Sequence, residues 1–154
     1  MQEYAVIDNH NVIATARKDF YESVCFTMHE RSHITASHHI DMTSSFSLGA
    51  FSTIAGCGTQ IWTHSYFHLK TGKSVRVDGS VRIHDGCYIG SGSIICPNVE
   101  IVNGVSVGAG TSVSKSLTKR GLYVSQPLRF VEFDSDERIS IMKDKQVLPY
   151  IYKK

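Results

Sequence analysis

The residues that decide the fold are IHDGCYIGSGSII, positions 83–95, in which an aliphatic residue returns at every sixth position. The same spacing continues on both sides of this stretch. Seven successive sixth residues are Val or Ile, namely Val77, Ile83, Ile89, Ile95, Ile101, Val107 and Val113. A repeat is the first feature to interpret because it dictates the architecture of the chain.

The other positions of the six-residue unit indicate its shape. The fourth position holds Gly, Asn or Ser in every unit, and the fifth is mostly small or β-branched. Gly and Asn tolerate a positive φ, so the fourth position predicts a sharp corner. Two inward positions and one corner per unit fit neither an α-helix nor an alternating hairpin. The pattern predicts short strands wound into triangular coils of about 18 residues, which stack through parallel pairing.

Residues 83–95, continued by VGAGTSVSK at 107–115, resemble the hexapeptide-repeat acyltransferases, most of all the small bacterial acetyltransferases that modify sugars. This resemblance implies an all-β fold, a left-handed parallel β-helix of about five to six triangular coils. The handedness comes from the resemblance alone, because the general rule for parallel crossovers predicts the right-handed form. The resemblance also implies a homotrimer whose active sites lie between subunits.

Length and composition are those of one globular domain spanning residues 1–154. The net charge of +2 is too small to suggest nucleic acid as a partner. The sequence has no apolar run long enough for membrane insertion and no secretion signal at its start, so we expect a cytoplasmic protein. The four cysteines lack metal or redox spacing, and Cys87 falls at an inward position of the repeat.

The clear repeats cover residues 77–118, and weaker ones cover 34–60. The weaker repeats form two series displaced by two residues: Ile34, Ile40 and Phe46, then Leu48, Ile54 and Gln60. Val6 and Val12 could begin a first coil, whereas 19–31 shows no usable period. The remaining residues, 119–154, are predicted to be a C-terminal extension with a short helix near 134–145 and a strand in 147–154.

The repeat is interrupted between Gln60 and Val77, whose spacing of 17 is one less than three units. The segment within it, IWTHSYFHLKTGK at 61–73, carries three aromatic residues and two histidines. We expect it to be a loop that projects from a corner of the prism. Loops on a rigid scaffold are where binding and catalytic residues concentrate.

Acetyl transfer to a hydroxyl needs a base, stabilisation of the oxyanion and a positioned donor. Histidine suits the base because its ordinary pKa is near working pH. We predict that His64 is this base: it lies in the interruption, and it precedes Tyr88 by the distance seen for the catalytic histidine of the sugar acetyltransferases that the chain resembles. The alternative is a surface-loop histidine without a catalytic role.

Three further residues are candidate substrate contacts. Trp62 should point to the same side as His64, since the two are separated by one residue on an extended segment. It could stack on a sugar ring or the pantetheine arm, or simply anchor the loop. His68 is a possible partner of His64 or an acceptor contact. The resemblance places Tyr88 where related enzymes often have an aromatic residue beside the acetyl group.

The resemblance also implies acetyl-coenzyme A as the donor. Its contacts are carried over onto Ser91, Ala109, Ser114 and Lys115, with Arg129 reaching the nucleotide phosphates. Positive charge concentrates at this end, as a polyanionic cofactor requires, although a solvated basic face would look the same. No metal is expected.

We therefore predict an acetyl-coenzyme A-dependent O-acetyltransferase that acts on a hydroxyl of a cell-surface saccharide or its precursor. The acceptor would be a small molecule or an oligosaccharide, bound by residues 19–33 and the His64 loop. One alternative is N-acetylation of an amino sugar, which the same base could serve. Another is a metalloenzyme like the γ-type carbonic anhydrases, using His64, His68 and a third histidine (His33, His38, His39 or His84) from a neighbouring subunit. A non-catalytic scaffold is the third.

Overall fold

The computed structural model describes residues 1–15, 23–125, 129–132, 146–148 and 151–152. This part of the chain consists of strands joined by turns. The strands are β1 (Val6–Ile7), β2 (Val12–Ala14), β3 (Phe26–Met28), β4 (His33–Ile34), β5 (His39–Asp41), β6 (Phe46–Leu48), β7 (Thr53–Ile54), β8 (Gln60–Ile61), β9 (His64–His68), β10 (Ser74–Asp78), β11 (Val81–Ile83), β12 (Tyr88–Ile89), β13 (Ile94–Ile95), β14 (Glu100–Ile101), β15 (Ser106–Val107), β16 (Ser112–Val113), β17 (Leu122–Val124), β18 (Arg129–Val131), β19 (Gln146–Leu148) and β20 (Ile151–Tyr152).

Most strands form the three walls of a parallel β-helix. The first wall runs β1-β4-β7-β12-β15-β17, the second β2-β5-β8-β13-β16, and the third β3-β6-β11-β14. Successive strands along the chain visit the walls in rotation, so the described residues make five coils. The third side of the fifth coil is a single bridge from Leu117 to Ile101. An all-β helix of five to six coils was the expected fold, and it is confirmed.

The interior is a column of the repeat's aliphatic residues. The first-position side chains from Ile83 to Val113 are at most 1% exposed. The fifth-position side chains are buried as well: Val81, Cys87, Ser93, Val99, Val105, Thr111 and Leu117. β-Branched residues suit such strands, and each buried Ile or Val contributes about 1.5–3 kcal/mol over an exposed one. The residues that recur with the six-residue period therefore form the hydrophobic core.

Two details of the predicted register are wrong. Val77 does not begin the regular run, because it lies in β10 outside the coils and is 40% exposed. The coil resumes at β11 instead. Gln60 faces outward, and Ile61 takes the inward position. The reason is a longer corner after Ile54: seven positions separate Ile54 from Ile61, against six between Ile34 and Ile40.

The predicted projecting loop is a β-hairpin. Strands β9 and β10 pair antiparallel, with His64 opposite Asp78 and His68 opposite Ser74. The hairpin joins β8 on the second wall to β11 on the third, so it projects from the corner between them, called here the hairpin corner. Its paired strands reach Asp78, five residues beyond the end of the predicted loop.

The ends of the chain follow the prediction in part. A first coil does begin with β1 and β2. After the last coil, β18 folds back antiparallel on β17, and β19 pairs antiparallel with β20 in the region where a tail strand was expected. The helix predicted at 134–145 lies outside the described residues. Cys25, Cys57, Cys87 and Cys96 are free thiols, and no helix of the described residues is long and apolar enough to cross a membrane.

Candidate active site at the hairpin corner

His64 stands at the base of the hairpin, directly beside a buried carboxylate. Its Nδ1 lies 2.8 Å from Oδ2 of Asp41. Asp41 ends β5, which pairs in parallel with β8 of the next coil, so stacking brings the end of one strand beside the start of the hairpin. The Asp41 side chain is 3% exposed and that of His64 is 14% exposed. The coil stacking therefore creates a His–Asp pair from residues 23 positions apart.

Four further hydrogen bonds hold the Asp41 carboxylate. The backbone N–H and hydroxyl of Thr43 donate to Oδ1 over 3.2 and 2.7 Å. The backbone N–H and hydroxyl of Thr63 donate to Oδ2 over 2.9 and 2.7 Å. Burial alone raises the pKa of Asp41, but the hydrogen bonds from Thr43, Thr63 and His64 outweigh burial and hold this pKa below its ordinary value. Asp41 is therefore ionised at neutral pH.

The charge of Asp41 fixes the tautomer of His64. An ionised carboxylate can only accept hydrogen bonds, so the proton of neutral His64 must be on Nδ1. Its Nε2 then carries a free lone pair. A histidine oriented by a buried carboxylate in this way is the arrangement that supports general-base chemistry.

An aromatic row flanks His64 on both sides. The His64 ring meets Trp62 edge to face at 6.0 Å between centroids, and Tyr66 likewise at 5.8 Å. The Trp62 side chain thus lies beside His64, as strand alternation predicted. Its indole N–H donates to Oε1 of Gln60 over 3.0 Å, and its ring lies 5.1 Å from that of His39. These two contacts fix the indole as one wall of the site.

His68 is not the partner of His64. It lies at the exposed far end of β9, where its Nδ1 is 2.8 Å from the Ser74 hydroxyl. The orienting group is Asp41, which the sequence showed only as an acidic residue after an inward Ile. A sharper signal was available: Asp41 lies one coil before the interruption, so stacking places it next to the segment where the repeat fails.

The second strand of the hairpin adds charged groups on the side of His64. Cross-strand pairing sets Asp78 opposite His64 and Arg76 opposite Tyr66, and opposed residues share a face of the hairpin. Arg76 Nε donates to Asp78 Oδ1 over 2.9 Å, and its Nη2 donates to Oδ2 over 3.1 Å. The site side of the hairpin is therefore polar and aromatic.

Tyr88 does not reach His64 within one chain. It is exposed on β12 of the first wall, the one wall that does not adjoin the hairpin corner. Ser91 and Ala109 lie together on the corner between the first and second walls, where the N–H of Gly110 donates to the Ser91 carbonyl over 2.8 Å. The Ser91 hydroxyl already donates to the Cys57 carbonyl over 2.6 Å.

The other predicted coenzyme contacts form separate groups. Ser114 and Lys115 are exposed on the hairpin corner, two coils below the coil of His64, which corresponds to about 10 Å at the spacing of paired strands. Arg129 begins β18, and its side chain lies outside the described residues. The predicted site residues thus occupy three places on one chain.

The histidines considered as metal ligands have other partners. His33 Nε2 lies 2.9 Å from Asp8 Oδ2, and His84 Nε2 lies 2.6 Å from Glu100 Oε1. His38 is buried: the Thr59 N–H donates to its Nδ1 over 3.1 Å, so its Nε2 carries the proton and donates to the Thr35 hydroxyl. Nowhere in the described ranges do three or more His, Cys, Asp or Glu residues form a group able to hold a metal ion.

Two known proteins are similar in sequence to part of this chain. No protein-family model matches the chain. It is 32% identical over 88 residues to a serine acetyltransferase of Buchnera aphidicola, covering 57% of this chain and 32% of the relative. It is 29% identical over 85 residues to a UDP-3-O-acylglucosamine N-acyltransferase of Delftia acidovorans, covering 55% and 24%. The match therefore spans a third or less of each relative.

Among solved structures, the fold is similar to that of a galactoside acetyltransferase in complex with coenzyme A. The TM-score is 0.67 at 14% identity, covering 98% of this chain and 72% of the other. At this identity the likeness concerns the fold alone. That shared fold is the left-handed parallel β-helix, so the expected handedness is confirmed.

Proposed function

We propose that the chain is a hexapeptide-repeat acyltransferase that transfers an acetyl group from acetyl-coenzyme A to a sugar hydroxyl, with His64 as the general base. The observation that carries the proposal is the Asp41–His64 pair, in which a buried carboxylate leaves the lone pair of Nε2 free. The acceptor would be a small sugar or an oligosaccharide of the cell surface or its precursor. Acetyl-coenzyme A as donor fits a cytoplasmic protein, which stays a prediction.

In the proposed reaction, His64 moves one proton twice. Nε2 takes the proton of the acceptor hydroxyl while its oxygen attacks the thioester carbonyl carbon, forming the C–O bond. Asp41 stabilises the imidazolium that results. The tetrahedral intermediate then collapses, the C–S bond breaks, and the Nε2 proton passes to the departing coenzyme A thiolate. General-base catalysis of this kind contributes about 10²–10⁴-fold.

We propose that the donor binds at corners of the two coils that follow the hairpin in the chain. Ser91 and Ala109 would contact the pantetheine arm through backbone groups, because the Ser91 hydroxyl is engaged by the Cys57 backbone. Ser114 and Lys115 would contact it from the hairpin corner, and Arg129 would pair with the phosphates. The galactoside acetyltransferase of the same fold was solved with coenzyme A, which supports this donor.

The division of the site between walls supports a trimer. Tyr88 and the Ser91 corner lie away from His64 in one chain, so a second copy is needed to bring them together. The hairpin also has an apolar side suited to such a contact. Opposite the side that faces the site, it exposes Phe67, Val75 and Val77. Exposed apolar surface of this kind marks association sites.

N-acetylation of an amino sugar is a second candidate, since one of the two sequence relatives is named as an N-acyltransferase. The same Nε2 would accept the amine proton. A panel that pairs each hydroxyl acceptor with its amino-sugar analogue separates the two reactions by the product that forms.

The test is His64→Ala, with His68→Ala as the matched control on the same strand. Coenzyme A release in the presence of saccharide acceptors would be followed, together with coenzyme A affinity and the size of the oligomer. We expect turnover to fall about 10²–10⁴-fold in His64→Ala and only a few-fold in His68→Ala, because general-base catalysis is worth that factor. Wild-type turnover in His64→Ala would overturn the proposal.

A further inference from the structure

The net charge of the hairpin, residues 64–78, equals the net charge of the whole chain. Between His64 and Asp78 there are three basic residues, Lys70, Lys73 and Arg76, and one acid, Asp78. Three minus one leaves +2, equal to the chain's net charge of 16 − 14, so the other residues balance at 13 of each sign. A net positive element beside the catalytic base attracts anions to the site.

Arg76 is the basic residue nearest to His64 on the site side of the hairpin. It is paired with Tyr66, whose ring touches that of His64. Opposed Cβ atoms in such a pair are about 4.5–5.5 Å apart. A group held by Arg76 would therefore lie on the same side of the hairpin as His64, next to the Tyr66 ring that contacts it.

Asp78 orients the Arg76 guanidinium but occupies only two of its N–H donors. The two hydrogen bonds from Nε and Nη2 occupy one edge of the group. An arginine has five N–H donors, so those of Nη1 and one of Nη2 stay available. The side chain is 34% exposed. The edge of the guanidinium formed by Nη1 and Nη2 matches the geometry of carboxylate and phosphate oxygens.

We propose that the acceptor is an anionic saccharide, and that Arg76, held by Asp78, binds a carboxylate or phosphate next to the hydroxyl that becomes acetylated. Trp62 and Tyr66 supply the flat surfaces for the sugar ring, and Lys70 and Lys73 attract the anion at longer range. The inference rests on the proposed function, since it concerns the acceptor of that reaction.

The experiment compares matched acceptors. Oligogalacturonides, sialic acid-terminated oligosaccharides and nucleotide-diphosphate sugars would each be paired with a neutral saccharide of similar size, and kcat and KM measured by coenzyme A release. We expect kcat/KM to favour the anionic members. Preference for the nucleotide sugar would assign the anion to a diphosphate, and preference for either acidic oligosaccharide to a carboxylate.

Arg76→Gln then tests the residue. We expect KM for the preferred anionic acceptor to rise about 10- to 100-fold, the range for hydrogen bonds to charged groups, with kcat nearly unchanged. KM for acetyl-coenzyme A should not change, which separates this role from a contact with coenzyme phosphates. Arg76→Lys keeps the charge without the fork and should give an intermediate KM. Arg82→Gln, exposed on the third wall, is the matched control and should behave as wild type.

Equal use of neutral and anionic acceptors would overturn the inference and leave the proposed function standing. So would an Arg76→Gln variant with unchanged KM for the anionic acceptor, or one that raises KM for acetyl-coenzyme A instead. Transfer to none of the saccharides would overturn the proposed function and, with it, the inference.

Discussion

The lower coils, β12 to β16, and the upper coils, β1 to β11, use the same repeat in different ways. In the lower coils the period of six is unbroken, and corners of positive φ hold Gly or Asn. In the upper coils, bulky residues occupy such corners: Tyr4, Arg31 and Phe51 have φ of 56, 51 and 57°. The Arg31 guanidinium lies between the two rings, 5.7 Å from Tyr4 and 5.6 Å from Phe51.

The upper coils also contain the longer corner after Ile54, the hairpin and the hydrogen-bonded Asp41. A buried network of this kind stabilises a structure only when every member is satisfied, and Asp41 accepts five hydrogen bonds from Thr43, Thr63 and His64. The regular coils therefore provide a continuous apolar core, and the irregular coils hold the candidate site.

The largest expected effect is that of Asp41→Asn in the upper coils. In the proposed reaction, a neutral amide would remove the charge that stabilises the His64 imidazolium, and it can hold His64 in the other tautomer with the proton on Nε2. We expect kcat to fall about 10²–10⁴-fold, as measured by coenzyme A release.

The matched control for Asp41 is Asp85→Asn at the corner between β11 and β12, on the border of the upper and lower coils, where Oδ1 accepts the Ala50 N–H over 2.8 Å. Both variants lose one acidic charge, but of the two residues Asp41 is the one that contacts His64. Asp85→Asn should keep wild-type kcat. An Asp41→Asn enzyme within threefold of wild type would show that the irregular network does not serve catalysis.

The second effect concerns stability and belongs to the regular coils. Ile95 is fully buried on β13, whereas its neighbour Ile94 is on the outer side of the same strand. We expect Ile95→Ala to lower the free energy of unfolding by about 2–5 kcal/mol, because it leaves a cavity in the core. Ile94→Ala removes the same atoms from the surface and should cost less than about 1 kcal/mol.

Urea unfolding of both proteins checks this pair of substitutions. Equal losses for the two alanine variants would contradict the assignment of the six-residue period to the core.

The regular coils could be read from the sequence because each inward position depends only on residues six apart. Cys87 and Ile95 are buried where the period puts them. The errors arose where a different structure gives the same sequence pattern. Val77 has the spacing of the repeat but belongs to a hairpin strand, whose alternating Val residues look like one more repeat unit. The inward position predicted for Gln60 was wrong because one extra corner residue shifts the register by one without changing the composition.

The site was only half predictable for a different reason. His64 could be found because the repeat fails around it. Its partner Asp41 was missed: its place one coil before the interruption indicates only the neighbourhood, whereas the contact itself depends on how the strand ends stack and on hydrogen bonds from Thr43 and Thr63. Such contacts follow from three-dimensional register, which the longer corner between β7 and β8 alters.

The third effect compares two glycines of the regular coils. A Cβ on Gly90 would lie 2.6 Å from the Ala109 nitrogen and 2.8 Å from the Val107 oxygen, which belong to the next coil. A Cβ on Gly92 would meet nothing within 4 Å, but the φ of +68° there disfavours any side chain.

We expect Gly90→Ala to cost about 1–3 kcal/mol through overpacking and Gly92→Ala about 1 kcal/mol through backbone strain. Thermal and urea unfolding would rank the two variants. If Gly92→Ala were the more destabilising, coil spacing would matter less than corner geometry, and the regular coils would be less rigid than the contacts indicate.

The smallest effect is a pH dependence in the upper coils. Burial lowers the pKa of His38 below its ordinary value, and a proton added to Nδ1 would displace the hydrogen bond from the Thr59 N–H. Unfolded His38 binds a proton near pH 6.5, whereas the folded residue binds it only at lower pH. The unfolded state then holds more protons, so stability is complete above about pH 7 and falls as the pH drops below about 6.5.

Comparison with His38→Gln isolates this histidine, because all other titrating groups are common to both proteins. The glutamine amide can accept from Thr59 and donate to Thr35 without titrating. We expect the free energy of unfolding of wild type to decline more steeply between pH 7 and 5, by at most about 1.4 kcal/mol per pH unit for one proton. If the two curves of unfolding free energy against pH were parallel, folded His38 would bind its proton as readily as unfolded His38. The upper coils would then adapt to a charged His38 despite its burial and its hydrogen bond from Thr59.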